Sequence, residues 1–518
     1  MKKLVTFMLA VMLVMTLVPA YAAADASTKD TVVVATSVEP TVYFMQHSEL
    51  GQKASFAKDC AILYNIYDML FVINDNGEFE PRLGLGYTVS DDGLTYTVEI
   101  RDDAYFSNGE KVTAEDVAFS ANLMKEQVPN NARGMFTNFE VAEVVDDTHV
   151  SYTLSAPFAA FPNCWTSRCV PIICKSYYEE VGEDGYQENP VGSGPYIFKS
   201  KEAGQSVTLV ANPDYWGGKP AIENVVFKVI ANVNTQFLSL KAGEVDVILN
   251  ADVASCLQLD GRDLAYADGA SGTRAVALIN TNPDAPNAAT NPMLNESIRK
   301  AVASCVDRES ILIGACEGLG NEQWVEMLAT YTGVPDVSTL TQALPYDIDA
   351  AKAYLDEGGY NGEKVELLVV SGSRLEKAAN VLQASMLEAG INAEVVATDA
   401  PTSTNQFYSA AFQIYFLETT GSLYDSSALN NIYTGGTADP FMPADDYTWF
   451  KDTITTQMQT TDPEARQALT GELLNFINEK VQALPLYNPA SVVAYNTGLD
   501  GVAAHPQTYC FLNEWSWK

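Results

Sequence analysis

Apolar and polar residues alternate along positions 94–100, the period-2 pattern of a half-buried strand, and the β-rich run 31–35 predicts a buried strand ending before Glu39-Pro40. A loop carrying Tyr43, Phe44 and Met45 follows. Over residues 60–71 the period changes to that of a helix, with Ile62, Ile66 and Leu70 on one face, and a turn at Asn74 to Gly77 leads into a strand pair. Thr113 followed by Glu115 and Asp116 reads as a helix start, its carboxylates placed at the positive end of the helix dipole.

Strands are predicted at 206–210, 225–230 and 245–249, and a helix at about 234–242 closes at Gly243. Asn295 and Asp347 are placed to cap two later helices, the first with an apolar stripe of Ile298, Val302, Cys305 and Val306. The strand 365–370, the helix 375–389 closed by Gly390 and the strand 394–397 form a βαβ unit, which predicts a parallel pair. A final helical region, 457–480, is interrupted at Asp462-Pro463, where the proline starts a new helix, and it leads to a strand at 484–487. Mixed α/β content thus occupies both halves of the chain, with neither an internal repeat nor a low-complexity linker between them.

The first residues depart from this pattern. Lys2 and Lys3 precede an uncharged apolar run, 4–18, shorter than the ~20 residues a membrane span needs, and small residues at Ala20 and Ala22 suit cleavage before Ala23. Residues 1–22 therefore read as a signal peptide, and the mature chain is expected at the periplasmic or extracellular face of the cytoplasmic membrane. The absence of a cysteine beside the cleavage site argues against a lipid anchor.

The 66 acidic and 30 basic residues give a net charge of −36, which repels phosphate backbones and excludes nucleic acid as a partner. Export permits disulfides among the eight cysteines, but spacing does not reveal their connectivity. Cys164, Cys169 and Cys174 lack the paired spacing and flanking histidine of a zinc site, so disulfides or buried thiols are the expectation there. His47, His149 and His505 are scattered, and no nucleophile elbow, metalloprotease helix or phosphate-binding loop is present. No metal, cofactor or catalytic residue is assigned. Gly192-Ser193-Gly194 precedes a strand and lacks a lysine, so it reads as a tight turn; the acid pairs Asp91-Asp92, Asp102-Asp103 and Asp146-Asp147 read as solvated turns. A secreted glycoside hydrolase remains the enzyme alternative, because sequence spacing does not show whether two carboxylates face one cleft.

Several motifs in order resemble the extracytoplasmic solute-binding proteins of peptide/nickel ABC transporters, solute-binding family 5. They are Tyr67-Asp68-Met69-Leu70, Ser90-Asp91-Asp92-Gly93-Leu94-Thr95-Tyr96, Phe106-Ser107-Asn108-Gly109 and Thr113-Ala114-Glu115-Asp116. Later come Pro190 to Tyr196, Asn212-Pro213-Asp214-Tyr215-Trp216, Leu240 to Asp246, and Ile298-Arg299-Lys300-Ala301 with Val306-Asp307-Arg308. The resemblance implies a two-lobe α/β periplasmic-binding-protein-like fold (type II, cluster C), closing by a hinge around its ligand. Lobe I would comprise 27–62, 173–277 and 487–518, enlarged by an inserted subdomain at 63–172, and lobe II would be 278–486. It further implies a monomeric receptor, not an enzyme, that passes a small solute, a short peptide foremost, to a membrane permease. Nickel chelates, oligosaccharides and opines are other solutes of the class.

Peptide binders of this class carry a Gly-Trp and a following aspartate after a strand matching 412–416, where this chain has Glu418-Thr419-Thr420-Gly421-Ser422. The tryptophan and the aspartate are both missing, so Glu418 and Asp425 are the nearest candidates for the anionic anchor of a ligand ammonium. Tyr487 matches a cleft tyrosine, and Tyr43, Phe44 and Met45 lie where the first strand of the class reaches the cleft. Trp216 is expected to pack rather than to bind, and Trp165 to pack beside its cysteines.

Overall fold

One strand, Ala483–Asn496, belongs to two lobes. In the computed structural model, which describes residues 29–50, 56–74, 77–127, 136–166, 170–259, 261–421, 423–435, 438–505 and 510–518, its first half pairs with Thr273–Ile279, and its second half pairs with Leu264–Ala270 and Val247–Ile248. On the lobe II side the sheet runs outward through Thr273–Ile279, Ile414–Thr420, Val365–Val370 and Ala393–Thr398. On the lobe I side it runs through Val247–Ile248, Thr31–Thr36, Asn224–Val229, Ser206–Ala211 and Tyr196–Glu202. The signal-peptide reading falls on residues outside the described ones.

Both crossings between the lobes, at Ser271–Gly272 and at Asn488–Pro489, are tied by one side chain. The Asn488 amide nitrogen donates to the Ser271 carbonyl at 2.8 Å and to the Thr273 carbonyl at 2.5 Å, and the Ser271 hydroxyl donates to the Pro489 carbonyl. The Ser271 and Pro489 carbonyls are buried, where an unmade hydrogen bond costs about 1–3 kcal/mol, so the two crossing strands are held in register.

Local sequence signals explain most elements. Thr113 and Asp116 form a reciprocal capping box at the start of Ala114–Gln127. Asn295 and Asp347 cap Glu296–Ser304 and Ile348–Gly358, and Gly390, at φ 94°, closes Arg374–Ala389 in a conformation that disfavours a side chain. The βαβ unit is parallel, with Val365 opposite Ala393. Pro463 starts its helix, Pro463–Glu479, as expected.

Three expectations change. The strand foreseen at 245–249 is only Val247–Ile248, and the one at 484–487 continues through Pro489 to Asn496. A proline within the run reads as a stop, yet Pro489 sits opposite Gly320 at the switch between the two sheets. The helix foreseen over 60–71 is Phe56–Ile66, and Phe71–Ile73 is a strand. Docked chain ends this helix: Gly194 donates to the Ile66 carbonyl at 2.9 Å, and Asn65 bonds the backbone of Cys510 and Leu512. Gly192 and Gly194 serve this approach, since a Cβ on Gly192 would stand 2.0 Å from the Ile66 oxygen. The turn between them is therefore a helix stop, and no phosphate cradle.

Within the segment expected to be inserted in lobe I stands a separate four-stranded antiparallel sheet in the order Gly84–Val89, Thr95–Ile100, His149–Leu154, Phe139–Asp146. Its core is built on Trp165, fully buried among the rings of Phe71, Tyr87, Tyr96, Tyr152 and Phe161. The cysteines Cys164, Cys174, Cys256, Cys305, Cys316 and Cys510 are buried free thiols; the side chains of Cys60 and Cys169 lie outside the described residues.

Two of the recurrent motifs meet at Asp68. Its carboxylate accepts from the Trp216 indole at 2.7 Å, Arg101 stacks 3.5 Å over the Trp216 ring, and the Arg82 guanidinium lies nearby. Trp216 thus packs, as expected. Burial outweighs these partners and raises the Asp68 carboxyl to about 6. The folded state therefore holds this proton more tightly than the unfolded chain, whose Asp titrates near ~3.9. Asp68's contribution to stability is complete below pH ~4 and is lost as pH rises through about 6, on the order of 2–3 kcal/mol. Urea unfolding of the wild type and of Asp68→Asn between pH 4 and 7.5 should show the wild type losing stability relative to the variant over that window; a constant difference would contradict the assignment.

Candidate functional site

The lobes meet along a seam beside the two crossings. Asn163, in the inserted subdomain, donates from its amide nitrogen to the Thr332 hydroxyl at 3.0 Å and to the Leu423 carbonyl at 2.9 Å. The Ala159 amide donates to the Met458 carbonyl at 2.8 Å, and the Leu423 side chain joins the apolar cluster of lobe I. The loop after Ile414–Thr420 therefore reaches out of lobe II and plugs into lobe I.

At the cleft end of the lobe II sheet, register places three residues in one row. Glu418 stands opposite Ala275, and Ala275 stands opposite Tyr487 on the far strand. Cross-strand neighbours lie ~5 Å apart, and because the middle position is an alanine the outer side chains reach over it. The Tyr487 hydroxyl donates to Glu418 Oε1 at 3.1 Å. The other carboxylate oxygen pairs with Arg374 at 3.3 Å. Arg374 begins the helix Arg374–Ala389, where a cation opposes the helix dipole, and Glu418 offsets that cost.

The row mixes a buried with an open part. Tyr487 is fully buried, and burial together with the Glu418 charge holds its phenol far above its ordinary range, so it stays a donor. Glu418 and Arg374 keep 23% and 43% of their side-chain surface in solvent. Beneath them burial pushes the Cys316 thiol up to about 11, so it remains neutral.

The other residues singled out from sequence lie elsewhere. Asp425 sits inside lobe II with its carboxylate gripped by Arg466 through two bonds, 2.6 and 2.9 Å, both side chains buried, so its charge is already matched. Tyr43, Phe44 and Met45 are buried in the lobe I core: the Tyr43 hydroxyl donates to the Pro40 carbonyl, Phe44 stacks on Tyr186, and Gln187 accepts from both backbone amides. The structure thus brings Glu418 and Tyr487 together and leaves the remaining four apart from them. Sequence reading missed Arg374; its signal was the Ser-Arg after Val365–Val370, at the end of a parallel strand, where α/β folds place ligands.

The fold is that of a solute receptor. The profile of the bacterial extracellular solute-binding proteins, family 5 (middle region), matches residues 78–441, and the chain belongs to that family. The nickel-binding periplasmic protein of Escherichia coli K12 is 25% identical over 461 residues, covering 85% of this chain and 87% of its own. The glutathione-binding protein GsiB of Salmonella paratyphi A is 26% identical over 480 residues, covering 86% and 88%. Among solved structures, HbpA2 from Haemophilus parasuis superposes with a TM-score of 0.81 at 22% identity, over 94% of this chain and all of its own.

The buried Asp425–Arg466 pair is the part of this region whose removal has the clearest consequence. Arg466→Met strands a buried carboxylate and should lower unfolding stability by about 3–5 kcal/mol, measured by urea titration. The double variant Asp425→Leu/Arg466→Met should recover much of that loss.

Proposed function

We propose that this protein is the extracytoplasmic receptor of an ABC importer, that it encloses a short peptide between its lobes, and that it hands the peptide to a membrane permease without chemical change. Family membership supports the receptor role. The observation that carries the peptide reading is the Glu418 row: a partly exposed carboxylate, oriented by Tyr487 and Arg374. An enclosed ammonium is stable only with a charge-assisted partner, and Glu418, whose pairing with Arg374 is open to solvent, is accessible for that role where Asp425, buried against Arg466, is not. The similarity to a glutathione-binding protein points to the same chemistry, since glutathione carries both an ammonium and carboxylates.

In such a receptor, affinity arises because closure makes contacts with the solute that the open form lacks. Lobe I supplies Asn163 to the seam, while lobe II supplies Thr332 and the Leu423 plug. The exported location and the permease partner are part of the proposal.

The test is native mass spectrometry of the purified protein, followed by denaturation and identification of what is released. Peptides with free amino termini are expected, and calorimetry on the stripped protein should show Glu418→Gln weakening their binding by about tenfold or more and Tyr487→Phe by a smaller factor. Recovery of a sugar or a metal chelate, with binding insensitive to Glu418→Gln, would overturn the peptide reading.

A further inference from the structure

The seam between the lobes begins at a crossing. The Tyr331 hydroxyl donates to the Gly272 carbonyl at 2.6 Å and accepts from the Gly421 amide at 2.8 Å. Thr332, the next residue, and Leu423, just past Gly421, are both held by Asn163, which is 2% exposed. From there the contacts continue between lobe II and the segment that carries the four-stranded sheet. The Ala159 amide bonds the Met458 carbonyl, a Cβ on Gly77 would stand 2.7 Å from the Thr330 oxygen, and one on Gly93 would stand 3.1 Å from Thr461 Cγ2. The cavity left between Phe158, Leu423 and Met458 is about 40 Å³, room for water but not for a peptide. This part of the seam therefore forms from protein groups alone.

Its lobe II side is a knob shaped in advance. Residues 330–332 and 423–426 are laced together: the Thr332 amide donates to the Tyr424 carbonyl at 3.0 Å, the Ser426 amide donates to the Thr332 carbonyl at 2.9 Å, and the rings of Tyr331 and Tyr424 meet edge to face at 5.7 Å. Tyr424 stands at φ 50°, a strained conformation for a bulky side chain. Such strain persists where the surroundings enforce it, and here the grip of Arg466 on the next residue, Asp425, does so. The turn that results presents Leu423, whose carbonyl meets Asn163 and whose side chain enters the lobe I cluster. A knob fixed within its own lobe loses little freedom when it docks.

We infer that this knob and the socket around Asn163 form a clasp that closes without a solute, so that its strength sets how far the empty receptor stands open. The inference rests on the receptor reading above for the parting of the lobes. Apparent affinity scales with the fraction of molecules in the binding-competent state, so the clasp raises affinity by one factor for every solute, whatever its chemistry.

The test needs no solute. Protein stripped by unfolding and refolding is followed by hydrogen exchange, read by mass spectrometry at single residues, for the wild type, Asn163→Ala and, from the lobe II side, Leu423→Ala. The Ala159 amide reports the seam because its acceptor, Met458, belongs to lobe II. Each variant should speed exchange at Ala159 about fivefold or more, while the amides of Thr95–Ile100 and His149–Leu154 keep their rates. Faster exchange throughout those two strands would overturn the inference by showing that the substitutions loosen the sheet itself, and failure of both variants to fold would overturn it likewise. Exchange at Ala159 that is fast in the wild type and unchanged in both variants would overturn the clasp and leave the receptor reading intact. Exchange there as slow as in the two strands for all three proteins would count against both, since the lobes would then not part.

Discussion

The arrangement depends on the side chain of Asn488 and the three backbone and hydroxyl groups it reaches. Two crossing strands, at Ser271–Gly272 and Asn488–Pro489, are the route by which lobe I becomes lobe II, and Asn488 binds one crossing to the other. The strand pairs with lobe II through its first half and with lobe I through its second, and Pro489, which has no amide hydrogen to give, sits between the two, where Gly320 accepts the close approach. Two residues of the candidate site lie close to this junction: Tyr487 just before it, and Glu418 one strand beyond Ala275.

From this junction the functional geometry follows by register alone. Alanine at 275 is the small residue that lets a tyrosine on one strand touch a glutamate two strands across. Glycine at 272 and at 421 supplies the backbone groups that Tyr331 gathers. The plug, Leu423, joins the apolar cluster of lobe I, so the contact between the lobes rests on apolar burial as well as on the side chain of Asn163.

Much of the fold was legible in the sequence where the determinant is local. Caps at Asn295, Asp347 and Thr113, the C-terminal Gly390, the βαβ unit and the helix start at Pro463 are each written in a few adjacent residues. The reading failed where a distant segment decides. Helix Phe56–Ile66 ends because Gly192 and Gly194 dock on it from far along the chain, and the strand through Pro489 exists because two sheets share it. The site divided in the same way. Glu418 and Tyr487 were visible through the family pattern, whereas Arg374 acquires its meaning only from its partner in space. Asp425 read as an available acid because sequence does not reveal that Arg466, 41 residues on, takes both its oxygens.

The central claim is that the two lobes close on a solute which then leaves unchanged. Small-angle X-ray scattering of the solute-stripped protein, before and after adding back the molecules released from it, tests this most directly. The account predicts a smaller radius of gyration on addition and quantitative recovery of the same molecules after dialysis. An unchanged radius, or recovery of altered molecules, would contradict it.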